Sequence, residues 1–171
     1  MAGPGPGGVI VLGLDPGSRV TGYGIVREVS GQAGLVAAGT INLPAKRPPA
    51  ERLGMIFERV AALIAEHGPV EAAIENVFVA KHPGSALKLG QARGAAMAAC
   101  AVAGLGVSEY EPTKVKRALV GVGNAPKDQV AFMVAQVLGV RGPNWAEDAS
   151  DALAVAVCHL NHRRLSRLAG L

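Results

Sequence analysis

The feature that most constrains the fold of this chain is a short apolar segment that stops abruptly at a single carboxylate. Residues 10–14 are apolar or glycine throughout and predict a buried strand. Pro16 and Gly17 turn the chain directly after Asp15, which places this carboxylate at the carboxyl end of the strand. Open α/β sheets carry their ligand sites at that edge. A simple turn closed by the Asp side chain is the competing interpretation, unless other acids converge on Asp15.

The order of the predicted elements is three strands, a helix, a strand, a helix, a strand and then helices. The first three strands, over residues 10–14, 20–29 and 35–43, are joined by short glycine-containing links that are typical of hairpins. The later strands, over residues 70–75 and 107–110, are separated by a helix, which indicates a crossover connection. The sequence therefore predicts an α/β fold with a mixed five-stranded sheet covered by helices on both faces.

Four carboxylates are expected at one end of this sheet. Glu75 ends the fourth strand as Asp15 ends the first, and Asp148 and Asp151 share one face of the last helix's first turn. The helix dipole alone favours acids at that position, which is the competing interpretation for these two. Clustered carboxylates repel one another, and divalent cations relieve the repulsion. An all-oxygen donor set suits Mg²⁺ or Mn²⁺, and a pair of such ions is typical of in-line phosphoryl transfer.

Basic residues are concentrated in the middle of the chain. The whole sequence has 17 Lys and Arg against 13 Asp and Glu, a net charge of +4. Between Asn76 and Lys127 there are seven basic residues and two acidic ones, a net charge of +5. A basic segment beside a cluster of acids predicts a nucleic-acid backbone as the substrate and phosphodiester hydrolysis as the reaction.

The remaining composition indicates one domain and a reducing compartment. Residues 1–8 are rich in Gly and Pro and have no signal-peptide pattern, so we expect a disordered extension before a single domain over residues 9–168. The longest apolar run, residues 95–107, is shorter than the about 20 residues that span a bilayer. Cys100 and Cys158 lie in apolar helical contexts that favour buried free thiols. We therefore expect a soluble, cytoplasmic protein.

Four blocks of the sequence resemble the RuvC family of bacterial Holliday-junction resolvases, in the order and spacing of that family. They are residues 13–24 (GLDPGSRVTGYG), 73–78 (AIENVF), 85–94 (SALKLGQARG) and 148–154 (DASDALA). The resemblance runs from about Val9 to about His162. It implies a ribonuclease H-like fold and a homodimer that cuts four-way junction DNA with paired symmetrical nicks, leaving ends that a ligase can seal. It also implies a role in homologous recombination and DNA repair, together with a branch-migration motor.

The resemblance assigns catalytic, metal-binding roles to four residues, namely Asp15, Glu75, Asp148 and Asp151. It implies two Mg²⁺ ions in each active site, for which Mn²⁺ can substitute. Some relatives have His at one of the last two positions, whereas this chain has Asp at both. The expected site is therefore made of carboxylates alone.

Six further residues are predicted to contact DNA. Phe78 matches an aromatic residue that the family uses against bases near the crossover, and Lys116 and Lys127 match its basic residues near the scissile strand. Lys81 lies in the same loop as Phe78, where an aromatic ring beside a cation favours stacking on an unpaired base. Lys88 and Arg93 are expected to contact phosphates, which positions the substrate without reading its sequence.

Two other functions stay open from the sequence. Asp15 to Ser18, followed by Gly22, also resembles the phosphate loop of sugar kinases and actin-like ATPases. Those proteins need two related lobes, and 171 residues hold only one. A non-catalytic junction-binding module is the second alternative, but it has no need for four acids.

Two predicted helices carry features that the expected function does not explain. The predicted helix over residues 85–103 has many small residues, which fit either packing on its own sheet or a subunit contact. His159 and His162, with Cys158, match no common zinc spacing and are expected at an exposed helix end.

Overall fold

The core of the molecule is a five-stranded sheet with helices on both of its faces. A computed structural model describes residues 8–76 and 82–170. The strands are β1 (Val9–Asp15), β2 (Val20–Val29), β3 (Gln32–Asn42), β4 (Glu71–Glu75) and β5 (Gly106–Tyr110). The helices are α1 (Pro49–His67), α2 (Pro83–Val102), α3 (Pro112–Val120), α4 (Lys127–Val137) and α5 (Glu147–Leu168).

The sheet is mixed, and its strand order is β3-β2-β1-β4-β5. β1, β2 and β3 pair antiparallel, whereas β4 lies parallel to β1 and β5 lies parallel to β4. The predicted mixed five-stranded sheet is thus confirmed. The register between β1 and β4 sets Leu14 opposite Ile74, so that the next residues, Asp15 and Glu75, end neighbouring strands at the same edge.

Side chains of the central strands alternate between two apolar layers. Leu12 and Leu14 pack with buried residues of α1 and α2, whereas Val11 packs with buried residues of α3, α4 and α5. Because successive residues of a strand point to opposite faces, Asp15 projects toward the same side as Val11. The alternation therefore turns Asp15 toward α5, and it does the same for Glu75 two residues after Ala73.

The expectation that His159 lies at an exposed helix end is wrong. Its side chain is buried in the middle of α5, with the residue 7% exposed. His159 Nδ1 lies 2.8 Å from the hydroxyl oxygen of Tyr110, and its Nε2 lies 2.7 Å from a carboxylate oxygen of Glu71. Arg163 Nε donates to the other Glu71 oxygen at 2.8 Å. This polar network ties α5 to β4 and β5.

The network also sets the charge state of Glu71. Burial by itself raises the pKa of this carboxyl, but hydrogen bonds from Arg163 and His159 outweigh it and lower the pKa below its usual value. Glu71 therefore stays ionised at neutral pH. A carboxylate with partners on both oxygens holds the helix and the strand in one fixed relation.

Several expectations concern single residues or short segments. Cys100 and Cys158 are buried free thiols, as predicted. In the part of the chain that the structure describes, no helix is both long and apolar enough to cross a bilayer. Phe78, Lys81 and residues 1–7 of the predicted disordered extension lie outside the described residues, so those expectations stay predictions.

Candidate active site

Asp15 and Glu75 form a hydrogen-bonded pair at the carboxyl ends of the two central strands. Burial, followed by the adjacent Glu75 and the charges of Asp151 and Asp148, raises the pKa of Asp15 to about 8. Burial raises the pKa of Glu75 as well, although the hydrogen bond from Asp15 partly opposes it. Two carboxylates in contact cannot both ionise freely, so the pair shares one proton near neutral pH.

The other two predicted acids lie on the first turn of α5, above the same strands. Asp148 and Asp151 are close enough to raise the pKa of Asp15 by charge repulsion. The approach of α5 depends on glycine in the strands beneath it. A Cβ on Gly22 would overlap the carbonyl oxygen of Asp148, and one on Gly13 would overlap that of Ala152. The structure thus brings together all four acids that the sequence predicts.

Lys127, at the start of α4, borders this cluster from the solvent side. Its ammonium donates to Asp151 at 2.8 Å and also to Glu147. Those two hydrogen bonds raise the pKa of Lys127 above its usual value, so it stays protonated. Lys116 of α3 lines a cleft of about 210 Å³ together with Glu75, Lys127 and Asp151. Both lysines that the resemblance assigns to the scissile strand therefore adjoin the carboxylates.

The four carboxylates in this arrangement do not form a complete metal-binding site. Within residues 8–76 and 82–170, no group of three or more His, Cys, Asp or Glu side chains is arranged to hold a metal ion. The raised pKa of Asp15 and the Lys127 ammonium offset part of this negative charge and leave the rest uncompensated. The donor atoms are carboxylate oxygens crowded at one edge of the sheet. They suit a hard divalent cation that takes the place of the carboxyl proton and of the Lys127 ammonium.

The other predicted DNA contacts differ in their surroundings. Lys88 is exposed on α2 and lines a cleft of about 280 Å³ that also contains Ser18 and Arg52. Arg93 forms an ion pair with Glu109 of β5, and only 26% of its side chain is exposed. Arg93 is therefore ion-paired within the chain, and its contact with a phosphate stays a prediction. Phe78 and Lys81 lie outside the described residues.

Sequence reasoning missed two residues of this region. Glu147 shares the Lys127 ammonium with Asp151, four residues later on the same helix face. Two like charges at that spacing destabilise a helix unless a cation lies between them. The spacing of the two acids in the sequence therefore indicates a basic partner. Arg52 of α1 donates to the carbonyl oxygen of Ser18, in the turn after Asp15. No sequence pattern links these two residues, which are 34 positions apart.

Comparison with known proteins gives matches across almost the whole chain. Residues 11–159 match the family described as Crossover junction endodeoxyribonuclease RuvC. The protein of that name from Solidesulfovibrio magneticus is 62% identical over 170 residues, which are 99% of either chain. The Thermus thermophilus RuvC structure superposes with a TM-score of 0.85 at 34% identity, over 92% of this chain and 97% of that one.

A second solved structure, T. thermophilus RuvC in complex with Holliday junction substrate, is similar to the same extent. Its TM-score is 0.83 at 32% identity, and the match covers 92% of this chain and 96% of that one. These similarities cover more than nine-tenths of the chain and agree with a ribonuclease H-like fold. They do not favour the kinase-like alternative.

Proposed function

This chain belongs to the RuvC family of crossover junction endodeoxyribonucleases, and we propose that it resolves four-way (Holliday) DNA junctions by metal-dependent hydrolysis of two phosphodiester bonds. We further propose that the two nicks are symmetrical, in strands of like polarity, and leave ends that a ligase can seal. The products fit a role in homologous recombination and DNA repair. The name and the junction complex of its relatives support this substrate.

The observation that carries the proposal is the carboxylate cluster at the end of β1 and β4. Asp15 and Glu75 end neighbouring strands there, and Asp148 and Asp151 on the first turn of α5 lie near enough for their charges to raise the pKa of Asp15. A non-catalytic junction-binding module gains nothing from half-buried acids that repel one another, because crowding carboxylates away from water costs stability. The cluster therefore favours an enzyme over a binding module.

The four acids fit divalent cations by the chemistry of their donor atoms. We propose Asp15, Glu75, Asp148 and Asp151 as the ligands, two Mg²⁺ ions as the natural occupants and Mn²⁺ as a substitute. Bound divalent ions would activate a water molecule and stabilise the leaving 3′ oxygen. For this, the Asp15–Glu75 pair has to lose its shared proton, and Asp151 has to part from Lys127. The Lys127 ammonium is then available to a phosphate of the scissile strand.

The flanking basic residues would hold the DNA. Lys116 and Lys127 adjoin the carboxylates directly, and Lys88 lies on the opposite side of the Asp15 turn. Such contacts are expected to fix the backbone across the edge of the sheet. Phe78, Lys81 and Arg93 complete the proposed DNA-binding set.

We also propose a homodimer through the outer face of α2. The buried face of this helix uses Ala92, Ala96, Ala99 and Cys100 against the chain's own core. Gly90 and Gly94 lie exposed on the other face, in open space, and Leu87 is 64% exposed beside them. A glycine-lined helix face lets a second helix approach closely.

A branch-migration motor is a further partner that the family resemblance supports, and the cytoplasm is the proposed location.

The direct test is incubation of the protein with a synthetic four-way junction, with and without Mg²⁺. We expect paired nicks at symmetrical positions only when the metal is present. The products should become covalently closed on addition of a DNA ligase. Junction arms that stay intact under conditions of full binding would exclude the enzymatic function.

A further inference from the structure

The turn that follows Asp15 is fixed by contacts from outside its own hairpin. Within the turn, the Gly17 amide and the Thr21 hydroxyl are 3.4 Å apart, at the outer limit of a hydrogen bond. The Leu43 amide donates to the carbonyl oxygen of Arg19 at 2.8 Å. The guanidinium of Arg52 donates to the carbonyl oxygen of Ser18. Arg52 is thus the charged side chain that reaches into this turn from α1.

Arg52 is a half-buried charged residue. Its Nε atom is buried and has no hydrogen-bond partner in the described part of the chain. Across residues 8–76 and 82–170, no carboxylate lies within ion-pair distance of its guanidinium. A half-buried charge without a counter-charge costs stability unless another contact compensates for it. Its placement therefore calls for an explanation beyond packing.

The hydrogen bond from Arg52 to the Ser18 carbonyl explains this placement. α1 packs on the sheet face opposite to α5, so Arg52 approaches the turn from the side away from the carboxylates. It fixes a main-chain carbonyl three residues after Asp15 and leaves the Asp15 side chain facing α5. A displacement of about 1 Å at a reacting group lowers an enzyme's rate by roughly 100-fold.

We propose that Arg52 is a positioning residue for junction cleavage, which holds the Ser18 carbonyl and thereby fixes the turn that presents Asp15. This rests on the proposed function. A different role, direct binding of a DNA phosphate, would use the same positive charge. The two roles differ in what they change, because a phosphate contact affects junction binding and its dependence on salt, whereas positioning affects the cleavage step.

The test compares Arg52→Ala, Arg52→Lys and the wild type in single-turnover cleavage of a four-way junction, with the protein at saturating concentration. We expect the cleavage rate of Arg52→Ala to fall by about 10- to 100-fold. Its junction Kd should stay within about twofold of the wild type, and the slope of log K against log salt should not change. Arg52→Lys should recover part of the rate, because an ammonium can also donate to a carbonyl.

Chemical rescue gives a second readout that folding alone does not explain. The cleft of about 280 Å³ beside Ser18 and Arg52 has room for a free guanidinium ion. Added guanidinium at low millimolar concentration should raise the cleavage rate of Arg52→Ala and leave the wild type unchanged. Arg47→Ala is the matched control, since Arg47 pairs on the surface with Glu51 and removal of its charge should alter neither rate nor binding.

Three outcomes would overturn the proposal. One is an Arg52→Ala protein that cuts at the wild-type rate. Another is a salt slope reduced by about 0.9 with an unchanged saturating rate, which would make Arg52 a phosphate contact. The third is a folded Arg52→Ala protein whose lost cleavage rate is restored neither by the Arg52→Lys substitution nor by added guanidinium. If the wild type itself fails to cut, the proposed function is what fails.

Discussion

Gly22 of β2 lies directly beneath Asp148 of α5, so close that a methyl group on the glycine would overlap the Asp148 carbonyl oxygen. The strand and the helix meet main chain to main chain at this point. The distance of the two α5 acids from Asp15 therefore depends on the absence of a side chain at Gly22, as well as at Gly13 under Ala152. Four predictions test this arrangement and its charges.

Gly22→Ala should destabilise the fold and impair cleavage together. The added methyl group has to push α5 away from β2, which costs about 1–3 kcal/mol in a packed interior and displaces Asp148. Urea unfolding and junction cleavage measure the two effects. Gly34→Ala is the matched control, because a Cβ there meets nothing within 4 Å and its backbone conformation suits any residue. Equal stability of the two variants would show that α5 does not rest on Gly22.

Asp15→Asn should abolish nicking while leaving junction binding intact. The change removes a carboxylate ligand and its charge but no positively charged group that meets phosphate. We expect a loss of at least about 100-fold in the cleavage rate, the scale of losing one key electrostatic group. Gel-shift and cleavage assays on the same junction separate binding from chemistry. Glu58→Gln, on the exposed side of α1, should behave as the wild type. Normal cutting by Asp15→Asn would refute the assignment of the site.

The same variant should melt at a higher temperature than the wild type when metal is absent and the pH is high. The pKa of Asp15 is about 8 in the folded chain and close to 3.8 in the unfolded chain. Between these values the folded state binds the proton more tightly, so stability falls as the pH rises through this window. Asparagine has no proton to lose. The difference in melting temperature, measured in EDTA, should therefore widen from about pH 5 to about pH 8. A difference that is independent of pH would contradict the raised pKa.

Glu71→Gln should weaken the attachment of α5 to the sheet. It removes the charge that Arg163 and His159 both face, with an expected cost of about 1–3 kcal/mol at neutral pH. The pKa of Glu71 is lowered from its usual 4.5, so its contribution is complete above that value and is lost as the pH falls below it. The stability difference from the wild type, measured by urea unfolding, should shrink in the acid range. A difference that persists at low pH would mean that packing, rather than charge, is responsible.

The sheet and its four acids were predictable because they depend on local patterns. Alternation along β1 and β4, and a turn after Asp15, determine where the first two carboxylates point. Helical spacing puts Asp148 and Asp151 on one face. The start of β3 was less accurately predicted. The structure extends it back to Gln32, where pairing with Val29 of the neighbouring strand compensates for a weak apolar pattern.

The contacts that complete the site could not be read from the sequence. Lys127 lies 24 residues from Asp151, and Arg52 lies 34 residues from Ser18. Neither pair shares a helix or a strand, so no periodicity connects them. His159 was misassigned for the same reason, since its partners Glu71 and Tyr110 come from strands 88 and 49 residues away. Polar partners across such separations appear only when the chain is folded.

The burial of α5 has a consequence for hydrogen exchange. Every residue from Ala149 to Leu160 except Asp151 is buried, so the helix that carries two of the acids also fills the middle of one apolar layer. The buried turns of this helix cannot open to solvent by themselves, and their amide protons, from Asp151 to Leu160, should exchange only when the whole molecule unfolds. The position of Asp151 is then as stable as the fold itself, because this residue lies within the buried part of the helix.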